Sequence, residues 1–410
     1  MDRCQQNHLK RLTSNEFEIL RFMCHQAQDL RNLAIETHQH RYESGQGFSS
    51  LYVYHSVKTS LPYKYLPTRV GQSVLESVNA SFKSFFAIHR KKVQGEYDPD
   101  ISSPQVRLGT SPITFHDNAI KDTGDTIRLT LGGYITKSFA QRYLHVPKPP
   151  NLEHIKRIRI IPRFDHFLID YIYEISVRAS GVHVDELMGI DLGLNNFATC
   201  VTNHGTTIID GRGLKSLNRW FNMRMAMYSR IYAKQGYRTG KRKQDLSRKR
   251  HNQIEDFMRK TTFKILSLCV ASGIGRIVIG NAPLLLKPQL TEFGDTILTQ
   301  NFKYIPYLNF LNKLKAKAEI YGIQVDLVEE SLTSILCSRC GYADTRNRLR
   351  RGWMRCRSCR TEIHADVNAA INIARQVSPQ FLKSHGREHY VGSSGSMVLP
   401  ARIRLSQTSC

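Results

Sequence analysis

The sequence predicts a multidomain α+β protein: a helical region, then a β-rich region, then a longer α/β region. Three observations predict it. Apolar residues recur at helical spacing from about Ser14 to Arg90, short alternating or β-branched runs take over from about Val106 to Arg178, and strands and helices alternate from Glu186 onward. At 410 residues the chain has room for two or three domains.

In the first region, LTSNEFEILRFMCHQAQDLRNLAIETHQHRY reads as a long helix with Ser14 as its N-cap. SGQGFSS breaks the pattern, and VGQSVLESVNASFKSFFAIHRKK resumes it. Phe82, Phe85 and Phe86 are assigned to the core, and Arg90, Lys91 and Lys92 to solvent or phosphate. In the second region, DTIRLTLGG, IKRIRIIPRF and HFLIDYIYEISVR are bounded by Gly, Pro and Asp, which suits a small β domain of the barrel kind.

The third region opens with MGIDLGLNNFATCVT, a strand turning into a hairpin partner, with TTIIDG as a following strand. A basic segment from Leu214 to about Gly273 reads as two helices separated by a charged linker, RTGKRKQDLSRKRH. Then come the strand RIVIG, a helix around Tyr307–Tyr321, the strand IQVDLVEE, a cysteine module and the helix DVNAAINIARQ. Residues 377–410 are polar and Gly/Ser-rich, and a disordered tail is expected there.

Lys and Arg outnumber Asp and Glu 59 to 34, a net charge of +25. An excess of that size fits a polyanionic partner, since basic side chains release counterions from phosphates. No run of about 18 apolar residues exists, so no membrane partner is expected. The start of the chain, MDRCQQNHLKRL, lacks the apolar core of a signal peptide, and a cytoplasmic location is expected.

Of nine cysteines, four form Cys337-x2-Cys340 and Cys356-x2-Cys359. Soft thiolates at this spacing close a tetrahedral zinc site, and the basic residues between the pairs, with Trp353, suit a ribbon. Asp191 ends the apolar strand MGID, where an unpaired carboxylate would be costly. Asp366 opens the helix DVNAAINIA, a position that helix capping alone would explain. Taken together, a strand-borne and a helix-borne Asp flanking an α/β stretch match an RNase H-like sheet that holds two divalent ions. Such ions activate water and stabilise the leaving oxygen in phosphodiester cleavage, and magnesium suits sparse carboxylate ligation.

GIDLGLNNFATC, the ribbon TSILCSRCG…RCRSC and HADVNAAINIA, in this order, resemble TnpB, the transposon-encoded RNA-guided DNA endonucleases ancestral to type V CRISPR effectors. The resemblance covers residues 186–376 well and the preceding regions more loosely. It implies a helical recognition region (1–100), a β-barrel wedge-like domain (101–185) and a RuvC-type nuclease domain (186–376) with a helical insert (213–273) and an inserted zinc ribbon (335–362). It implies a guide RNA and double-stranded target DNA with a short adjacent motif as partners. It makes Asp191 the first catalytic Asp and Asp366 the last.

The family's middle Glu ends the strand after the helical insert, where this chain reads IVIGNAP, with Gly280 and Asn281. Two readings follow. In the first, the next strand supplies the carboxylate, from Glu330 or, as the backup, Glu329. Neighbouring strands lie about 4.8 Å apart, and only one of two successive residues faces the site. A subgroup of the family pairs a Gly-Asn strand end with EES in this way. In the second, the nuclease is inactive and the protein is an RNA-guided DNA-binding transcriptional repressor.

Overall fold

The computed structural model describes residues 2–95, 102–150, 152, 154–175, 180–281, 305–329, 333–350, 352–382, 391 and 397–405. The chain divides into two compact units, Met1–Ser176 and Val177–Cys410.

The first unit joins what the sequence divides into two regions. It begins with a strand, β1 (Asp2–Leu9), followed by helices α1 (Ser14–Glu43), α2 (Ser50–Val57), α3 (Leu61–Tyr65) and α4 (Thr68–Val93). The cap of α1 is Thr13, one residue before the expected Ser14. Its hydroxyl accepts from the Glu16 amide at 3.2 Å, and the Glu16 carboxylate accepts from the Thr13 amide at 2.8 Å, closing a capping box. After α4 come β2 (Ile113–His116), β3 (Ile120–Asp122), β4 (Thr126–Thr130), α5 (Gly133–Phe139), β5 (Tyr143–Pro147), β6 (Ile155–Pro162) and β7 (Phe167–Glu174).

These strands make a four-stranded sheet in the order β1-β7-β6-β2 and a three-stranded one, β3-β4-β5, whose buried residues share one core. β1 pairs antiparallel along the whole of β7, from Asp2 opposite Glu174 to Leu9 opposite Phe167. Its sequence, DRCQQNHL, carries little strand propensity; pairing to β7 decides its conformation. Ile19, Met23 and Phe82 from the helices share one core with Ile113, Phe115, Ile158 and Tyr171 from the strands. Helices and strands therefore fold as one unit, with the helices inserted between β1 and β2.

The second unit is built on a six-stranded sheet in the order β12-β11-β8-β9-β10-β16. Its strands are β8 (His183–Leu192), β9 (Asn196–Thr202), β10 (Gly205–Asp210), β11 (Ile274–Gly280), β12 (Gln324–Val328) and β16 (Ala401–Ile403). β8, β9 and β10 form antiparallel hairpins, whereas β11 lies parallel to β8, and β12 parallel to β11. Between β10 and β11 run α6 (Arg212–Lys234) and α7 (Lys241–Ala271); α8 (Tyr307–Ala318) precedes β12, and α9 (Ala365–Arg375) follows a three-stranded ribbon sheet of β13 (Arg348–Arg350), β14 (Trp353–Arg355) and β15 (Glu362–Ile363).

Two expectations change here. KRKQDLSRKRH is the first part of α7, not a linker, because Lys, Arg and Gln favour helix and the break falls earlier, between Lys234 and Lys241. The stretch expected to be a disordered tail is in part ordered. Phe381 and Leu382 are buried against α9, and β16 adds an edge strand beside β10. Among the described residues, no helix is long and apolar enough to cross a membrane.

The two faces of the sheet are distinct. Ile190, Ile277 and Ile279 pack with residues of α7 and α8, including Ile265, Leu266, Phe310 and Leu314. Leu187 and Val278 pack with Val367, Ala370, Ile371 and Ala374 of α9. Helix α9 comes so close that a Cβ on Gly189 would lie 2.3 Å from the Ala370 carbonyl oxygen and 2.9 Å from the Ala374 Cβ. Gly189→Ala should therefore force α9 off β8 and cost about 1–3 kcal/mol or more, read as a lowered thermal unfolding midpoint. An unchanged midpoint would mean that α9 does not sit this close.

Candidate active site and zinc ribbon

Residues on a strand alternate between faces. On β8, Leu187 and Gly189 meet α9 while Met188, Ile190 and Leu192 enter the opposite core, so Asp191 shares the α9 face. Asp191 is partly buried and pairs with Thr199 across the hairpin. Asp366 sits in the first turn of α9, where a carboxylate suits the helix dipole. Its Oδ2 accepts from Nδ2 of Asn196, the first residue of β9, at 2.6 Å. Asn196 stands across the β8–β9 turn from Asp191, so the two aspartates occupy one face at one end of the sheet.

Basic and aromatic groups surround this end. Arg348 approaches Asp366 at 3.9 Å. His364, the α9 N-cap, is held below its ordinary pKa by burial, and the Asp366 charge works against that shift. The buried Tyr307 hydroxyl donates to the Gly193 carbonyl at 2.9 Å; burial, with Asp191 nearby, pushes its pKa up.

On β11, Val278 packs on the α9 side and Ile277 and Ile279 on the other, which puts Gly280 on the α9 face. The position that faces the aspartates from this strand thus carries no side chain. β12 lies directly beside it, with Gly280 opposite Val328 and the Asn281 amide donating to the Val328 carbonyl at 3.0 Å. Val328 packs on the α9 side. Glu329 is exposed, and its carbonyl accepts from Gln376 Nε2 at 2.6 Å. Glu330 lies outside the described residues.

Among the described residues, the group of three or more potential metal ligands is Cys337, Cys340, Cys356 and Cys359, whose sulfurs all lie within 4.8 Å of one another. Cys337 and Cys359 are 3.7 Å apart and Cys340 and Cys356 3.5 Å. A tetrahedron of sulfurs about 2.3 Å from zinc has edges of about 3.8 Å, so the cluster fits that ion. Burial pushes the Cys337 thiol up. Burial also opposes the Cys359 thiolate, but hydrogen bonds from Thr361, Cys340 and Cys356 bring that group down to about 6. Metal analysis of the purified chain should find about one zinc, and Cys337→Ser with Cys356→Ser should abolish it. Zinc retained by the double variant would rule out this site.

Sequence reasoning passed over the residues that tie the ribbon to α9. Asn368 and Asn372 are almost wholly buried. Asn368 Nδ2 donates to the Leu336 carbonyl at 2.8 Å and its Oδ1 accepts from the Ser338 amide at 2.8 Å. Asn372 Nδ2 donates to the Leu336 and Thr333 carbonyls at 2.7 and 2.9 Å. Arg375 also donates to the Ser338 carbonyl. The helix that carries Asp366 is thereby fastened to the first cysteine knuckle. The signal in the sequence is two Asn four residues apart in an apolar helix, which bury safely only if both amides find partners.

A mixed α/β protein with two carboxylates at one sheet end and a Cys4 ribbon before its last core helix is the class these features define. Comparison with known proteins gives it relatives. Residues 170–284 match the OrfB_IS605 family model, described as a probable transposase, and residues 307–373 match the model of the Cas12f1-like TNB domain. The CRISPR-associated endodeoxyribonuclease Cas12f1 of Sulfoacidibacillus thermotolerans is 27% identical over 224 residues, 52% of this chain and 50% of that protein. The TnpB-like protein ORF457 of Acidianus two-tailed virus is 25% identical over 203 residues, 47% of this chain and 42% of that protein. The match therefore spans about half the length of these relatives. A cryo-EM structure of a Cas12f1–sgRNA–target DNA complex superposes with a TM-score of 0.57 at 16% identity, covering 88% of this chain and 82% of that one, a likeness of fold. The resemblance to TnpB and type V effectors read from the motifs is borne out.

Proposed function

We propose that this protein is an RNA-guided DNA endonuclease that cleaves target DNA in a RuvC-type, RNase H-like site. The observation that supports the reading is that Asp191 on β8 is on the face of the sheet that α9 covers, and that Asp366 lies in the first turn of α9 and bonds Asn196 at the start of β9. A relative is named as an endodeoxyribonuclease and a structural neighbour is a complex with sgRNA and target DNA, which supports guide RNA and DNA as this chain's partners. The first unit would read the short duplex motif beside the target. The net charge of +25 supports a long polyanionic partner held through its backbone.

Asp191, Asp366 and one glutamate from the end of β12 are assigned as the ligands of two magnesium ions. The hard oxygen donors of Asp191 and Asp366, both partly solvated, fit ions that keep waters and phosphate oxygens among their ligands. Bound there, the ions would supply charge stabilisation of the reacting phosphate and activation of water. The period of two favours Glu330 over Glu329. Val328, the last residue of β12, packs on the α9 side, so continued alternation would put Glu329 out of phase with the aspartates. In this reading Gly280 leaves the room that a side chain from the neighbouring strand needs.

The test is to purify the chain after co-expression with its flanking locus. RNA should co-purify, and plasmid cleavage should require both that RNA and magnesium. Cleavage without RNA, or DNA binding that never needs it, would overturn the reading.

A further inference from the structure

One chain of polar contacts runs from the last described strand to the candidate site. Arg402 of β16 donates from Nη1 to Oδ1 of Asn196 at 2.7 Å, and Asn196 donates from Nδ2 to Oδ2 of Asp366 at 2.6 Å. β16 has three residues and holds to the edge of the sheet by parallel pairing with Thr207, Ile208 and Ile209. Its second anchor is Asp210, 6% exposed at the end of β10. That carboxylate takes the Arg212 guanidinium on both oxygens, at 3.0 Å from Nε and 2.5 Å from Nη2. It also lies 3.4 Å from Arg404 and 3.9 Å from Arg402.

The order of donors matters. A carboxamide has a donor end and an acceptor end, whereas an ionised carboxylate only accepts and a guanidinium only donates. Asn196 stands between the two. With Arg402 present, its oxygen is drawn to the guanidinium and its NH2 is left for Asp366. Without Arg402, the amide still offers its NH2 to Asp366 but loses the contact that fixes the Asn196 side chain, and with it the fixed orientation of the carboxylate. Groups that hydrogen-bond a ligating carboxylate fix its orientation, and their loss typically costs about 10–100-fold in metal affinity.

We propose that β16 is a positioning strand: Arg402, acting through Asn196, holds Asp366 in the orientation that binds a divalent cation. The proposal rests on the assignment of Asp191 and Asp366 to a metal site. It gives β16 a part in that site although Arg402 is not itself a metal ligand. Arg402 is a positioning residue, and its removal acts on metal affinity ahead of nucleic-acid binding.

The experiment is a Mn2+ titration of the full-length chain followed by electron paramagnetic resonance of the free ion, with thermal unfolding in parallel. Asp191→Ala identifies the binding that belongs to the site; if it changes nothing, the metal-site assignment fails before β16 is tested. Given that loss, Arg402→Ala should weaken site binding about tenfold. Asn196→Ala should weaken it at least as much, and the double variant should be no weaker than Asn196→Ala alone. Arg402→Lys, which keeps a donor for Asn196, should restore most of the affinity. Unchanged binding in Arg402→Ala overturns the proposal. So do additive losses in the double variant, or an affinity loss in Arg402→Ala that Arg402→Lys does not relieve. If Arg402→Ala fails to fold, Arg402→Met, which keeps the aliphatic stem but has no donor, takes its place and should show the same loss.

Discussion

Asp191→Ala should reduce guide-dependent DNA cleavage by about a thousandfold or more, with binding of the guided complex to its target little changed. In the proposed reading, the site relies on charge held at one end of the sheet. Losing a ligand that positions the metals removes several kcal/mol of transition-state stabilisation, and about 4 kcal/mol is roughly a thousandfold. The side chain is partly buried at the tip of β8, and its neighbours Ile190 and Leu192 fill the opposite core. Truncation should therefore leave the sheet standing, and circular dichroism and the unfolding midpoint should stay near those of the parent. A strand-nicking assay at saturating guide RNA, beside filter binding of the same target, separates the two effects. Loss of binding in step with cleavage would assign Asp191 a structural role.

The second large effect concerns the glutamate. Glu330→Gln should lower cleavage by about the same factor, roughly a thousandfold, because an amide keeps the shape but gives up the charge that a divalent cation selects. Glu329→Gln should change it by less than about tenfold, since that residue is exposed and out of phase with Val328 on the α9 face. Gly280 offers a further check. It lies in a strand, faces α9 and stands opposite Val328. Gly280→Glu placed in the Glu330→Gln background should recover part of the activity by supplying the carboxylate from β11. Steady-state cleavage rates of the three variants decide the matter. A large loss in Glu329→Gln with none in Glu330→Gln would reverse the assignment.

The α/β core was legible because its strands are apolar and its punctuation is strong. MGIDLG, TTIIDG and RIVIG became β8, β10 and β11, and the expected neighbour of RIVIG became β12. The four cysteines were legible for a different reason: ligand spacing is local, and local patterns survive without knowledge of the fold. β1 escaped because its residues are polar and its strand state comes from β7, more than 150 residues away. β16 escaped likewise, since three residues, Ala401–Ile403, carry no period and depend on the edge of β10. Asn196, Asn368 and Asn372 are ordinary polar residues in sequence; only the folded chain puts one on Asp366 and two on the ribbon backbone. The charged start of α7 resembles a linker in composition, yet its Lys, Arg and Gln residues have high helix propensity, and the helix begins at Lys241.

The most direct test of the central claim, that the end of this sheet is a working nuclease site despite Gly280, is to measure target binding and strand cleavage on one preparation of the parent protein. That preparation is loaded with its guide RNA and supplied with magnesium. The account predicts guide-dependent binding followed by cutting that stops when magnesium is chelated and returns when it is restored. Tight, guide-dependent binding with no cut at any magnesium concentration would contradict it, and would make the missing carboxylate at Gly280 a lost activity in a DNA-binding regulator.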